Sequence, residues 1–198
     1  MKTTIIIATF LLSAFSNFCE GQTILKQILT ALQSEGNSPG TNPVIVKDVT
    51  TQTLIVNSSS NARISGGKTR GVVKVNLPAG TKKWYYRVTV LDAEREYKYQ
   101  NNETFYYLLN NNKFFETYSP TTEAIDFYIL GHSGDRESFL ETGNNNFKSF
   151  SAYTKIGIGS FIGECNISQE NLWIGIKNLN TMVGLKVIVE VVAYGNFN

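Results

Sequence analysis

Residues 71–92, GVVKVNLPAGTKKWYYRVTVLD, decide the fold class. Val73, Val75 and Leu77 alternate with Val72, Lys74 and Asn76, the period of a pleated strand with one apolar face. Pro78-Ala79-Gly80 interrupts the run: proline sets φ for a turn and glycine accepts positive φ. Beyond it Trp84, Tyr86, Val88 and Val90 share one face, and Tyr85, Arg87, Thr89 and Leu91 share the other. β-branched and aromatic residues favour this geometry. The pattern predicts a hairpin whose Trp84 face meets a core and whose Arg87 face is mixed and wetter. On that reading Tyr85 and Arg87 are candidates for an exposed ligand platform.

Further strands follow downstream. Asp126 to Leu130 is compact, with Phe127 and Ile129 on one face. Lys155 to Gly163 is glycine-rich around Ile156, Ile158 and Ile162. Leu172, Ile174 and Ile176 alternate with Trp173, Gly175 and Lys177, and a hairpin-like connection, Asn178 to Gly184, leads onward. Leu185, Val187, Val189, Val191 and Ala193 form one face of the longest predicted strand. Its other face is also partly apolar, which places it centrally. Upstream, Pro43 to Val46 and Gln52 to Val56 read as two short strands, and Asn57 to Lys68 as a Ser/Asn/Gly loop. Helical periodicity is confined to Thr23 to Ser34, where Ile24, Leu25, Ile28, Leu29 and Leu32 make one stripe, ended by Gly36 and Pro39. About seven to nine strands and one short N-terminal helix predict an all-β chain, an antiparallel β-sandwich or jelly roll. Strands do not alternate with long helices, which argues against a parallel α/β fold.

The first residues read as a leader. Lys2 precedes a short apolar run, Thr4 to Phe15, too short to span a bilayer. Ser16 to Gly21 is a polar exit with small residues at Cys19 and Gly21, fitting cleavage before Gln22. The expectation is a signal peptide over 1–21, a single domain over 22–198, a secreted or extracytoplasmic location, and no membrane span. With 198 residues, 42% apolar and 17% charged, the chain has the composition of one globular domain. A net charge of +2 with scattered Lys and Arg gives no stripe for a phosphate backbone, so nucleic acid is not an expected partner.

Residues 71–194 resemble the pre-peptidase C-terminal type of secreted β-sandwich. The resemblance is carried by Leu77-Pro78-Ala79-Gly80-Thr81, by the strand Asp126-Phe127-Tyr128-Ile129-Leu130, and by Asn171 to Asn178 leading into Leu185 to Tyr194. The Trp84-Tyr85-Tyr86 cluster and long insertions depart from that pattern. The resemblance implies a non-catalytic jelly roll that accompanies other activities.

Catalytic and ligand motifs are sparse. Ala62 to Thr69, ARISGGKT, fits a relaxed phosphate-loop pattern, but a strand follows where that motif opens a helix. Gly157-x-Gly159 with Gly163 lacks dinucleotide spacing and suggests a kinked strand. With His132 the one histidine and Cys165 the one cysteine left after cleavage, a Cys/His zinc site cannot be filled. Cys165 reads as a small buried hydrophobe. Asp126, His132, Asp135 and Glu137 lie close in sequence, without the regular spacing of a calcium loop. No G-x-S-x-G elbow occurs. Asn57-Ser58-Ser59, Asn102-Glu103-Thr104 and Asn166-Ile167-Ser168 are N-glycosylation sequons.

The expected function is a secreted, non-catalytic binding or accessory module for carbohydrate or protein, with no cofactor and no metal. Tyr85, Arg87 and Trp173 are its candidate ligand residues; Tyr97 and Tyr106 are further rings for stacking on sugars. A hydrolase working through carboxylates or His132 is one alternative, and a structural, envelope-associated interaction protein is the other.

Overall fold

The structure, a computed structural model, describes residue 30 and residues 45–93, 104–110, 123–141 and 143–197. The leader over 1–21 and the helix expected from Thr23 to Ser34 lie outside the described residues, Thr30 apart. The described strands are β1 (Ile45–Val56), β2 (Arg70–Val75), β3 (Thr81–Asp92), β4 (Ile125–Leu130), β5 (Lys155–Ile158), β6 (Phe161–Cys165), β7 (Leu172–Asn178) and β8 (Leu185–Gly195). Three short helices, α1 (Ser59–Ile64), α2 (Phe105–Asn110) and α3 (Ser133–Leu140), sit between them.

The strands form two four-stranded antiparallel sheets, ordered β1-β8-β3-β6 and β2-β7-β4-β5. Their pairing is nested: β1 pairs with β8, β2 with β7, β3 with β6 and β4 with β5. The chain is therefore one long doubled ribbon rolled over itself. Pairing of β3 with β8 and of β4 with β7 closes the two sheets. This is jelly-roll connectivity, and the expected all-β antiparallel sandwich is present.

The 71–92 stretch is not a hairpin. β2 pairs with β7 in one sheet, while β3 pairs with β6 and β8 in the other. Pro78 to Gly80 carries the chain across the sandwich instead of back along the same sheet. Gly80 has φ +88°, and its backbone lies so close to Asn196 that no side chain fits. The 178–184 connection likewise crosses between sheets. The two short strands expected over 43–56 are one strand, β1, with a bulge between Asp48 and Thr50.

The faces follow the alternation. Val73 and Val75 from β2, and Trp84, Tyr86, Val88 and Val90 from β3, enter the core between the sheets with Phe127, Ile129, Ile174, Val187 and Val189. The Trp84 indole N–H donates to the Ile167 carbonyl at 2.7 Å, which satisfies its polar atom. Cys165 is buried in the same core.

Both sheets are also covered outside. Phe105 and Leu109 of α2 pack on Tyr85, Val46, Val192 and Tyr194. Phe139 of α3, with Phe147 beside it, packs on Leu130, Trp173 and Tyr128. Arg70 fastens this second cover: its Nη1 donates to the carbonyls of Phe139 (2.9 Å), Glu141 (3.2 Å) and Asn144 (2.5 Å).

Burial sets an alkaline limit on the fold. Desolvation holds the Tyr86 hydroxyl well above its ordinary range. It also raises Tyr128, with the Asp126 charge assisting, to about 12, and the Cys165 thiol from 9.0 to about 11. Each group keeps its proton longer folded than unfolded, so its contribution is whole below the unfolded pKa and is lost as pH rises toward the folded one. Thermal melts followed by circular dichroism should be flat with respect to these groups up to pH about 9, then fall steadily toward pH about 12. A flat profile over that range would show that these groups titrate as they do in the unfolded chain.

Candidate functional site

The β1–β2 and β7–β8 connections meet at one end of the sandwich, and Asn178, the last residue of β7, joins them. Its Nδ2 donates to the Val56 carbonyl (3.1 Å) and the Val183 carbonyl (2.9 Å). Its backbone N–H donates to the Thr69 carbonyl (2.9 Å), and its Oδ1 accepts from the Asn180 backbone (2.8 Å) and side chain (2.9 Å). A carboxamide has donors and acceptors enough to tie three chain segments at once.

Helix α1 is seated on this frame by its backbone. Ser58, fully buried, caps it by accepting from Asn61 N–H at 3.1 Å. The N–H groups of Ser59 and Ser60 donate to the carbonyls of Asn180 (3.2 Å) and Thr181 (3.1 Å). First-turn N–H groups of a helix have no partner inside it, so the neighbouring loop supplies one. Farther on, Gly66 and Gly67 take φ +76° and +103°, and Asn57 Nδ2 donates to the Gly66 carbonyl at 3.1 Å. The loop is thus closed by hydrogen bonds, and none of the six residues of α1 is buried.

What this frame holds outward is apolar. Ile64 is 83% exposed and Met182 is 73% exposed. The Met182 sulfur lies 3.7 Å from the Ser60 hydroxyl, and Ile64 is one helical turn beyond Ser60 on the same side of α1. Leu179 is also exposed, directly after Asn178. Arg63, Lys68 and Lys186 are exposed cations at the same end. A large apolar side chain gains about 1.5–3 kcal/mol when fully covered, so Ile64 and Met182 are the residues at this end with the most to gain from cover.

The residues proposed from sequence lie elsewhere. Tyr85 and Arg87 are buried under α2, not on an open platform. Tyr85 packs edge-on to Tyr194, and both Arg87 Nε and Nη2 donate to the Glu190 carboxylate, the latter at 2.8 Å. The face expected to be wet is closed because α2 covers it. Trp173 belongs to the opposite sheet and is buried against Leu130 and Phe139, with the Arg136 guanidinium 5.8 Å from its ring. The three therefore share no surface. Tyr106 is half-buried on α2, and Tyr97 lies outside the described residues.

The acidic residues near His132 are also dispersed. Asp126 is buried, accepting from Gly157 N–H (3.1 Å) and Tyr128 Oη (3.3 Å), with Lys177 Nζ at 3.4 Å. His132 is exposed and caps α3, its Nδ1 accepting from Gly134 N–H at 3.1 Å. Asp135 accepts from Lys148 N–H (2.8 Å), and Glu137 pairs with Arg136 (3.2 Å). Among the described residues no three His, Cys, Asp or Glu side chains gather as a metal site. In the ARISGGKT stretch the helix precedes the two glycines, and Thr69 leads into β2, the reverse of a phosphate loop. Among the described residues no helix is long and apolar enough to cross a membrane.

No protein-family model and no curated protein matches the chain. The site therefore stands on its own residues. Ile64 and Met182 had one signal in the sequence: each is a large apolar residue inside a Ser/Asn/Gly-rich connection with no strand to join. Nothing in sequence marks Asn178, whose role appears only when β1, β2 and β7 converge.

Proposed function

We propose that the chain is a secreted, non-catalytic jelly-roll module that binds a protein partner through the α1 end of the sandwich. The carrying observation is that Ile64 and Met182 are both exposed at this end, Met182 against Ser60 and Ile64 one helical turn beyond it, on segments fixed by backbone hydrogen bonds. Loops fixed on a rigid sandwich are where such folds place recognition, and a preorganised surface loses little entropy on binding. The exposed Arg63, Lys68 and Lys186 around the pair favour a partner with an apolar socket and an acidic rim. A protein is favoured over a carbohydrate because the candidate rings Tyr85 and Trp173 are covered. The accessory role implied by the pre-peptidase C-terminal resemblance, and binding to another chain of an envelope, are forms of the same proposal.

The test compares the wild-type chain with an Ile64→Glu/Met182→Glu variant as cross-linked baits in extracellular fluid of the source, with a glycan array run in parallel. The variant should melt within about 0.5 kcal/mol of wild type, since both sites are on the surface. A partner retained by wild type should be lost by the variant. Retention unchanged by the variant, or saturable glycan binding by wild type, would overturn the reading.

A further inference from the structure

Two of the three sequons lie in described segments, and the fold treats them oppositely. Asn166-Ile167-Ser168 opens the β6–β7 connection (166–171). Ile167 turns inward: it packs against the core, its N–H donates to Cys165 Sγ (3.4 Å), and its carbonyl accepts from the Trp84 indole (2.7 Å). Its neighbours Asn166 and Ser168 are both exposed. The Asn166 backbone N–H donates to Tyr153 Oη at 3.4 Å, and its carboxamide takes part in no hydrogen bond among the described residues. The two side chains that a glycosyl-transferring enzyme reads are thus presented to solvent, on a loop fixed by the residue between them.

Asn57-Ser58-Ser59 is consumed by the fold. Asn57 Nδ2, the atom that would carry the sugar, donates to the Gly66 carbonyl at 3.1 Å and lies so close to Gly67 that not even a methyl group fits between them. Ser58 is buried as the cap of α1, and Ser59 N–H is bonded to Asn180. A glycan on Asn57 requires the 57–68 loop to open. Asn102 lies outside the described residues.

We infer that Asn166 is an N-glycosylation site of the folded chain and that Asn57 is not, a statement that rests on the secreted reading. The donor is an oligosaccharide linked to a polyprenyl diphosphate. Asn166 Nδ2 forms a bond to the sugar C1, the bond from C1 to the diphosphate oxygen breaks, the polyprenyl diphosphate leaves, and one amide proton passes to a base of the transferase. The modified loop enters β7 at Leu172, whereas Asn178 and the Ile64–Met182 pair lie at the far end of that strand. A glycan on Asn166 therefore leaves the docking end uncovered.

The experiment expresses the full chain in glycosylating eukaryotic cells, in an Asn102→Gln background, with its own residues 1–21 and in parallel with an established secretory leader in their place. Medium is analysed by gel mobility before and after enzymatic removal of N-glycans, and by peptide mass spectrometry. One glycan is expected, lost in full in Asn166→Gln and kept in Asn57→Gln. An unmodified Asn166 in leader-swapped chain recovered from the medium overturns the inference, as does a glycan on Asn57. If the native-leader chain stays in the cells while the leader-swapped chain emerges glycosylated at Asn166, the secretion reading fails and the inference falls with it, although the 166–168 loop is then a competent acceptor.

Discussion

Glu190→Ala is expected to destabilise the fold by about 3–5 kcal/mol, because it leaves the Arg87 guanidinium buried without its counter-charge. Arg87 and Glu190 face each other across β3 and β8 and are only 5% exposed each. The carboxylate also accepts from Phe105 N–H at 2.9 Å, so it holds the first turn of α2 on the sheet. The Arg87 guanidinium in turn lies 5.8 Å from the Phe105 ring. Losing the acid therefore strands a charge and unfastens the helix that keeps water from it. The joint replacement Arg87→Met/Glu190→Leu removes both charges and fills similar volume, and should fall within about 1 kcal/mol of wild type or exceed it. Urea unfolding of wild type, Glu190→Ala and the joint variant measures the difference. A single-variant cost under about 1 kcal/mol would mean that water reaches the pair.

The outcome at β3 shows what was legible in sequence and what was not. Trp84, Tyr86, Val88 and Val90 are assigned to the core by alternation alone, and they are there. Tyr85, Arg87, Thr89 and Leu91 read as a mixed, wetter face, yet all four are buried, and the cover over Tyr85 and Arg87 is α2, well over a dozen positions along the chain. Short apolar runs such as Phe105 to Leu109 do not tell helix from strand by periodicity. Helix α3 is harder still, because Phe139 is its one buried residue among eight, too few for a stripe.

Topology escapes local reading for a different reason. Pro78 to Gly80 serves a hairpin and a sheet-to-sheet crossing equally well; the choice is made by distant partners, β7 for β2 and β8 for β3. The end of the sandwich around Asn178 escapes it for the same cause. Val56, Thr69, Asn178 and Val183 meet only after the ribbon has rolled up. Tyr85, Arg87 and Trp173 are candidates by residue type, and type predicts stacking or pairing without saying whether the partner is a ligand or the protein itself.

Phe127→Ala should cost about 3–5 kcal/mol, the range for removing a fully buried phenyl ring. Phe127 is wholly buried and is the aromatic link between the sheets. From β4 it stacks on Tyr86 of β3 at 5.0 Å and 15°, and meets Phe161 of β6 edge-on at 5.0 Å and 90°. Tyr86 and Phe161 are themselves edge-on at 5.9 Å. The Tyr86 ring lies over Gly163, its cross-strand neighbour, where an added Cβ would collide with the phenol. Removing the phenyl ring takes away both ring contacts and leaves its volume as a gap between the sheets. Phe127→Leu keeps apolar volume and loses the ring contacts, each worth roughly 0.5–1.5 kcal/mol beyond area, so it should fall between wild type and the alanine variant. Urea midpoints at constant m-value give the order. An alanine variant within about 1 kcal/mol of wild type would show that the sheets close over the gap.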